Sequence, residues 1–260
     1  MKRTTSSALR FLALLALCTV ALQLVFGLRI ALMTFVDPQS TSFQRSEMWR
    51  LLVEQHEVRW SQRWIAGAQI SPNLKRAVIA SEDAGFAEHS GVEWDALEKA
   101  WERNQRAEAR VAKLNERLEK QAAKAPVTSD TRKTLREPKV IGGSTITQQL
   151  AKNLFLAGER SLPRKAQEFI VTFMLEAILG KQRILEIYLN NVEWGEGVFG
   201  AEAAARHYFH VPAAQLSPTA AARLAVMLPA PKRFEKRPDS PYVVSRAATV
   251  VARMGAVELP

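Results

Sequence analysis

Apolar residues run without a charge from Phe11 to Leu28, "FLALLALCTVALQLVFGL", and resume after Arg29 as "IALMTFV" up to Val36. A helix of about 20 apolar residues crosses the hydrocarbon core of a bilayer. A cleavable signal has an apolar stretch of only about 7–15 residues and a small-residue cleavage site. The pattern predicts an uncleaved transmembrane helix. From Asp37 onward the period changes: "KRAVIASEDAGF", "WDALEKAWERN", "TITQQLAKNLFL", "RKAQEFIVTFMLEAIL", "KQRILEIYLNNV", "GAEAAARHYFH" and "SPTAAARLAVML" place apolar residues three and four apart, the spacing of amphipathic helices. Pro72, Pro163, Pro212 and Pro218 stand where such helices would start, a position that tolerates proline. Gly158, Gly180, Gly195 and Gly197 punctuate the pattern. Little alternation and no repeat are visible, so the fold class expected is mainly α with an N-terminal transmembrane helix.

Three regions follow: residues 1–36 as a cytoplasmic tip and anchor, 37–57 as a membrane-proximal linker, and 58–260 as a helical domain. Residues 98–139 stand apart within it. "EKAWERNQRAEARVAKLNERLEKQAAK" is charge-dense with a thin stripe of Val111, Leu114 and Leu118, and "APVTSDTRKTLREPK" has the composition of a mobile loop. This reads as a charged helix and flexible insertion, with a lid or membrane-facing flap as the sharper alternative.

Charge narrows the partners. The formal net charge is +10; Lys2, Arg3, Arg10 and Arg29 lie in residues 1–36, which hold no acid. Such a balance suits an anionic partner. The basic residues preceding the apolar run keep the N-terminus cytoplasmic, and Arg29 is expected to snorkel to the far interface. The bulk of the chain then lies outside the cytoplasm, which excludes nucleic acid and leaves a membrane surface or a phosphate-bearing substrate. The single cysteine, Cys18, sits inside the apolar run, so neither an intrachain disulfide nor a redox role is expected. Leu17 stands where a lipoprotein signal would want a small residue. Trp49, Trp60 and Trp64 suit either a membrane interface or ordinary core packing.

Three stretches hold candidate chemistry. In "IASEDAGFAEHSG", Glu82 and Asp83 point about 100° apart on a helix, so one of them fits a given cleft; Glu82 would share a face with Phe86, and His89 follows before Gly91. A carboxylate beside an aromatic ring can act as a general base or acid; an acidic surface turn is the plain alternative. In "IGGSTITQQLAKN", Thr145 and Gln148 form the T-x-x-Q of a capping box, so a helix starts there. Ile146, Leu150 and Leu154 face the core, while Ser144, Thr145, Gln148, Gln149, Lys152 and Asn153 supply the remaining polar groups. The glycines permit close approach of a backbone or ligand, and the Lys-Ser/Thr ending of a nucleotide P-loop is absent. In "RSLPRKAQEF", Arg164 and Glu168 are four apart, with Lys165 alongside. If these two helices face each other, Lys152, Arg160, Arg164 and Lys165 make a phosphate-sized basic pocket containing one carboxylate.

Taken in order, these stretches resemble the motifs of the peptidoglycan glycosyltransferase family, in particular its stand-alone biosynthetic members. "EDAGFAEHSG" is similar to the first motif, "GGSTITQQLAKNLF" to the second and "RKAQE" to the third. "KQRILEIYLNNVEWGEGVFGAEAAARHYF" is similar to the fourth and "LAVMLPAPKRF" to the last, so the resemblance covers about residues 58–235. It implies a lysozyme-like, two-lobed helical glycosyltransferase domain, one lobe dipping into the bilayer, with lipid II and the growing lipid-linked glycan as substrates. Polymerisation would form β-1,4 linkages with inversion and release polyprenyl diphosphate. By resemblance Glu82 is the general base for the acceptor 4-hydroxyl, and Glu168 is the second essential carboxylate, near the diphosphate. Lys152, Arg160, Arg164 and Lys165 fall at diphosphate-side positions, and Asp83, Phe86, His89, Thr145 and Gln149 at further cleft positions. His56, His207 and His210 match no role.

The stretch between the first two motifs is longer and more charged than the family pattern. No S-x-x-K or K-T-G set is present, so polymerisation without cross-linking is expected. No cofactor is demanded and no metal cluster is visible; a divalent cation, magnesium or manganese, bridging the diphosphate and Glu168 is compatible with the residues. Expected partners are the membrane and other cell-wall synthesis proteins, and the expected place is the inner membrane with the catalytic domain on the periplasmic side. No motif lies in residues 1–36, so the anchor is expected to be separable from the chemistry. A lysozyme-like hydrolase or lytic transglycosylase, and an inactive glycan-binding scaffold, are the alternatives; the four cations around Glu168 speak against the first and the presence of both glutamates against the second.

Overall fold

A computed structural model describes residues 2–122, 143–156 and 161–260. They fall into two units, one drawn from Met1–Val92 with Thr145–Pro260, the other from Glu93–Ser144. The chain is mainly helical. The first unit holds α1 (Lys2–Leu32), α2 (Ser42–Arg50), α3 (Pro72–Glu82), then α5 (Ile146–Phe155), α6 (Leu162–Ile178), α7 (Lys181–Asn191), α8 (Ala201–Phe209), α9 (Pro218–Met227), α10 (Pro231–Phe234) and α11 (Pro241–Met254); α4 (Trp94–Ala122) forms the second. A small sheet completes the first unit, with β1 (Ser61–Gln62) parallel to β3 (Val198–Phe199) and β2 (Glu193–Gly195) antiparallel to it.

The prolines act as expected. Pro72, Pro163 and Pro218 occupy the first or second position of α3, α6 and α9, behind serine caps at Ser71, Ser161 and Ser217, and Pro212 precedes the 3₁₀ turn Ala213–Gln215. Helices α3, α9 and α11 pack together through Leu74, Ala77, Val78, Ala221, Leu224, Ala225, Val243, Ala247 and Val250, all buried. Alanine-rich faces let these axes come close. Trp194, fully buried, donates its ring N–H to Leu224 O at 3.0 Å, which satisfies the one polar atom that its burial would strand. His56 and His210 end helical segments in the left-handed conformation, and His207 is exposed.

Residues 37–57, expected as a linker, are folded onto the first unit instead. Thr41 and Gln44 cap α2 reciprocally, and a π-helical turn, Leu51–Gln55, continues it. Thr41, Gln44, Glu47 and Leu51 are buried. Glu47 accepts from Arg50 and from Lys232 of α10, and Arg50 also reaches Glu196 at 2.5 Å. Long-range ion pairs thus tie this segment to residues near 196 and 232. Trp49 is exposed, while Trp60 stacks on Phe199 at 4.5 Å and Trp64 lies under the Arg183 guanidinium.

The apolar run forms α1, and Ser7–Leu32 is long and apolar enough to cross a membrane. At about 1.5 Å per residue its 26 residues extend for about 39 Å. Its last third is not a free tether. Ile30 and Met33 are buried in the core of the first unit, Phe26 meets Phe155 of α5 at 5.1 Å, and Gln23 exchanges two hydrogen bonds with Gln167 of α6, at 2.8 and 2.9 Å. Arg29 lies over the Phe155 ring at 5.1 Å.

In the second unit, α4 carries Val111, Leu114 and Leu118 half-buried and Trp94 and Trp101 exposed. Gly143 rests against it: a Cβ there would stand 2.9 Å from Ala100 Cβ and 3.1 Å from Ala96 O. One of the two glycines is thus used for close backbone approach. The rest of the expected insertion, residues 123–139, lies outside the described residues.

Candidate active site

The site is built where α3 ends against the start of α5. Helix α3 stops at Glu82 because Asp83 leaves helical geometry, at φ −163° and ψ 72°. Glu82 and Phe86 therefore do not share a helical face. Phe86 turns back through a tight turn, Phe86 N–H donating to Asp83 O at 3.0 Å, and is fully buried under the ammonium of Lys181, 4.5 Å from its ring centre.

Asp83 is buried and uses both oxygens. Oδ2 accepts from Ile146 N–H at 2.9 Å, and Oδ1 lies 2.7 Å from Nε2 of His89. Nδ1 of His89 accepts from Gly91 N–H at 3.1 Å, so the ring proton belongs on Nε2, pointing at Asp83. A carboxylate on the first amide of α5 also meets the positive end of that helix. Thr145 adds a second tie: its hydroxyl donates to Gly91 O at 2.6 Å and accepts from Gln148 N–H, while Thr145 N–H donates to Gln148 Oε1. The expected capping box is present. Gly91 is obligatory at this junction, with φ +91°, and a Cβ would come within 2.8 Å of Thr172 and Glu176. Thr145 and Gln148 are buried cap residues, and Nε2 of Gln148 is buried without a partner among the described residues.

Glu82 stands beside this cap, half-buried. Its Oε2 accepts from Nε2 of Gln149 at 3.0 Å, and Oε1 of Gln149 accepts from the Tyr188 hydroxyl at 2.9 Å. Burial pushes the Glu82 carboxyl above its ordinary range; the Gln149 hydrogen bond opposes that, and the Asp83 charge reinforces it. A carboxylate made more basic in this way can take a proton from an incoming hydroxyl.

Nearly two turns into α6, Glu168 is buried, and accepts from Lys165 on Oε1 and from Arg164 on Oε2 at 3.1 Å. Arg164 Nε is itself buried without a partner among the described residues. Both cations sit at the start of α6, whose free N–H groups add positive potential. Helices α5 and α6 pack against each other, as the basic-pocket reading requires. Lys152 is exposed and Asn153 half-buried on α5; Ser144 is described within the second unit, and Arg160 lies outside the described residues. Each Glu168 oxygen carries one cationic donor. Among the described residues no cluster of three or more metal-ligating side chains occurs.

The sequence missed four groups. Thr147 donates to Glu176 Oε1 at 2.6 Å, Lys181 pairs with the same oxygen at 2.8 Å, and the ammonium covers Phe86, so these three brace the Phe86 turn from α5, α6 and α7. Tyr188, from "EIYLNN", is the fourth. Its apolar-period position was legible as core, and a buried tyrosine hydroxyl needs a partner; that demand was the available signal.

A carboxylate made more basic at the end of α3 and a second one under two cations on α6, in a helical unit that also holds the long apolar helix α1, define the class: a mainly helical enzyme with acid–base and anion-binding groups. Residues 50–137 and 120–255 match the Transglycosylase family model, and the chain belongs to that family. The two matches overlap inside the charged stretch read as an insertion. The chain is 50% identical to the biosynthetic peptidoglycan transglycosylase of Burkholderia thailandensis over 241 residues, 93% of this chain and 83% of that protein. It is 46% identical to the protein of the same description from Paraburkholderia xenovorans over 248 residues, 95% of this chain and 91% of the other.

Proposed function

We propose that this chain is a peptidoglycan glycosyltransferase of cell-wall synthesis that extends glycan strands from lipid II. The observation that carries the reading is Glu82: a carboxylate held basic by burial, with one amide donor from α5, the helix that also packs against α6 and its cation-bearing Glu168. In this reading Glu82 removes the proton from the acceptor 4-hydroxyl as that oxygen attacks the anomeric carbon of the lipid-linked chain. The β-1,4 bond forms with inversion, and polyprenyl diphosphate leaves toward Arg164 and Lys165. Asp83 and His89 hold the base in place from behind. The charge needed on the leaving group is supplied by these side chains, so magnesium or manganese is not required; turnover compared with added metal and with chelator tests that part.

The anchor and the substrate suit each other. A lipid-linked substrate diffuses in the membrane, and α1 keeps the site there. Helix α6, bonded to α1 through Gln167, exposes Leu162, Ile170 and Phe173, as a helix partly immersed in lipid would. With Lys2 and Arg3 ahead of the span and Arg10 near its start, the catalytic unit belongs on the periplasmic face of the inner membrane, near other cell-wall synthesis proteins.

The test is gel analysis of labelled lipid II incubated with purified protein. Ladders of polymer are expected; fragments released from preformed glycan would point to a hydrolase instead, and no product to a scaffold. Glu82→Gln should lower turnover by the 10²- to 10⁴-fold typical of losing a general base, roughly, with lipid II affinity retained. Because burial raises the Glu82 carboxyl, wild-type turnover should fall as pH drops through that raised value and level off above it.

A further inference from the structure

The fourth of the sequence motifs, "KQRILEIYLNNVEWGEG", supplies no residue to the reaction as derived so far. Its Tyr188 is nevertheless at the centre of the site. The ring is 1% exposed on α7, and its hydroxyl lies 2.9 Å from Oε1 of Gln149, whose Nε2 lies 3.0 Å from Glu82 Oε2. Three side chains from three helices form one chain of hydrogen bonds ending on the carboxylate.

The direction of that chain follows from donor counting. An ionised carboxylate only accepts, so Gln149 must present its amino group to Glu82. Its carbonyl then faces Tyr188 and needs a donor, and the phenol provides one. Buried among apolar side chains, and beside Glu82 and Asp83, the phenol is held well above its ordinary range and stays protonated. Without that O–H nothing holds the Gln149 carbonyl on the α7 side, and the amide is free to turn over whenever Glu82 takes up a proton. Its carbonyl would then face Glu82, which could satisfy it only by being protonated.

We propose that Tyr188 is a positioning residue for the transfer reaction, fixing through its hydroxyl the orientation of the Gln149 amide so that the amide donates to Glu82. It does not touch the reacting atoms. It keeps the base ionised in a place where burial favours the neutral acid. The groups that bear on Glu82 are Asp83 on its own helix end, which opposes ionisation, Gln149 on α5, which favours it, and Tyr188 on α7 acting through Gln149. This inference rests on Glu82 being the base.

The experiment compares full-length wild type, Tyr188→Phe and Glu82→Gln in detergent with labelled lipid II across pH. It also follows the Glu82 carboxyl by ¹³C NMR titration, assigned by its absence from the Glu82→Gln spectrum. Removing the hydroxyl should move the acidic limb of kcat, and the NMR midpoint of Glu82, upward by about one pH unit, the size expected for losing one donor to a charged group. Turnover on the acidic limb should fall about tenfold and recover toward wild type above it, with KM for lipid II unchanged. A midpoint and limb that stay put overturn the inference. So does a uniform loss at all pH values with a lowered melting temperature, because a purely structural tyrosine would act in that way. If Glu82→Gln itself polymerises at the wild-type rate, the base assignment fails; the NMR midpoint then still reports whether Tyr188 governs Glu82.

Discussion

Asp83 gives its two carboxylate oxygens to His89 and to the first amide of α5, while Glu82, one residue earlier, has a single neutral donor. Local geometry sets this difference: the backbone breaks helix between them, turning one inward as an anchor and leaving the other at the surface of the core. Asp83→Asn removes the charge at the α5 N-terminus and puts an amide where two donors converge. It should cost about 1–3 kcal/mol, visible as a lower melting temperature, whereas Glu82→Gln should leave melting within about 1 kcal/mol of wild type. Glu168 differs again. Glu168→Gln strips the compensating charge from Arg164 and Lys165; turnover should fall while a diphosphate lipid binds more tightly, measurable as lipid II affinity in detergent. Weaker binding would mean that Glu168 orients these cations rather than merely neutralising them.

At the scale of elements, the sequence was informative where the cause is local. The start of α5 could be read because a capping box and a three-four apolar period are both short-range, and Ile146, Leu150 and Leu154 are indeed buried. The proline-started helices were legible for the same reason. What was not legible depends on partners far along the chain. Phe86 looked like the next turn of α3 and is instead a buried turn residue held by Lys181, 95 positions later; residues 37–57 read as a linker, and within them Gln44 and Glu47 are buried through Asn191 and Lys232. Helix α1 shows this most clearly, since an apolar run is equally compatible with lipid and with protein on one side. Deleting residues 1–36 removes Ile30 and Met33 from the core, where truncating one such side chain costs about 2–5 kcal/mol. The truncated protein should therefore melt several degrees lower and lose most turnover in detergent, whereas deletion of residues 1–22, which spares the packed third, should keep its melting temperature. Equal stability of the two truncations would show that the packing of α1 contributes little.

Over the whole molecule, family membership, helical class and the order of the motifs were all readable before any coordinates, because each motif is a contiguous string. The functional core of the first unit is assembled from α3, α5, α6 and α7, which bring residues 82 and 188 into one hydrogen-bonded chain; no periodicity announces such a pairing. The amide pair between Gln23 and Gln167 belongs to this scale too. Gln23 lies nine residues before the end of α1, roughly 13 Å along its axis, and Gln167 is the immediate neighbour of Glu168. In the function proposed above, α1 then acts as a ruler: the depth at which the span settles sets the elevation of Glu168 relative to the lipid tails. A bilayer thicker or thinner than the span must tilt the helix or deform around it, and here either response would be felt at Glu168. In vesicles of graded acyl-chain length, turnover should peak at one thickness and decline on both sides, and Gln23→Leu, by uncoupling ruler from site, should flatten that curve.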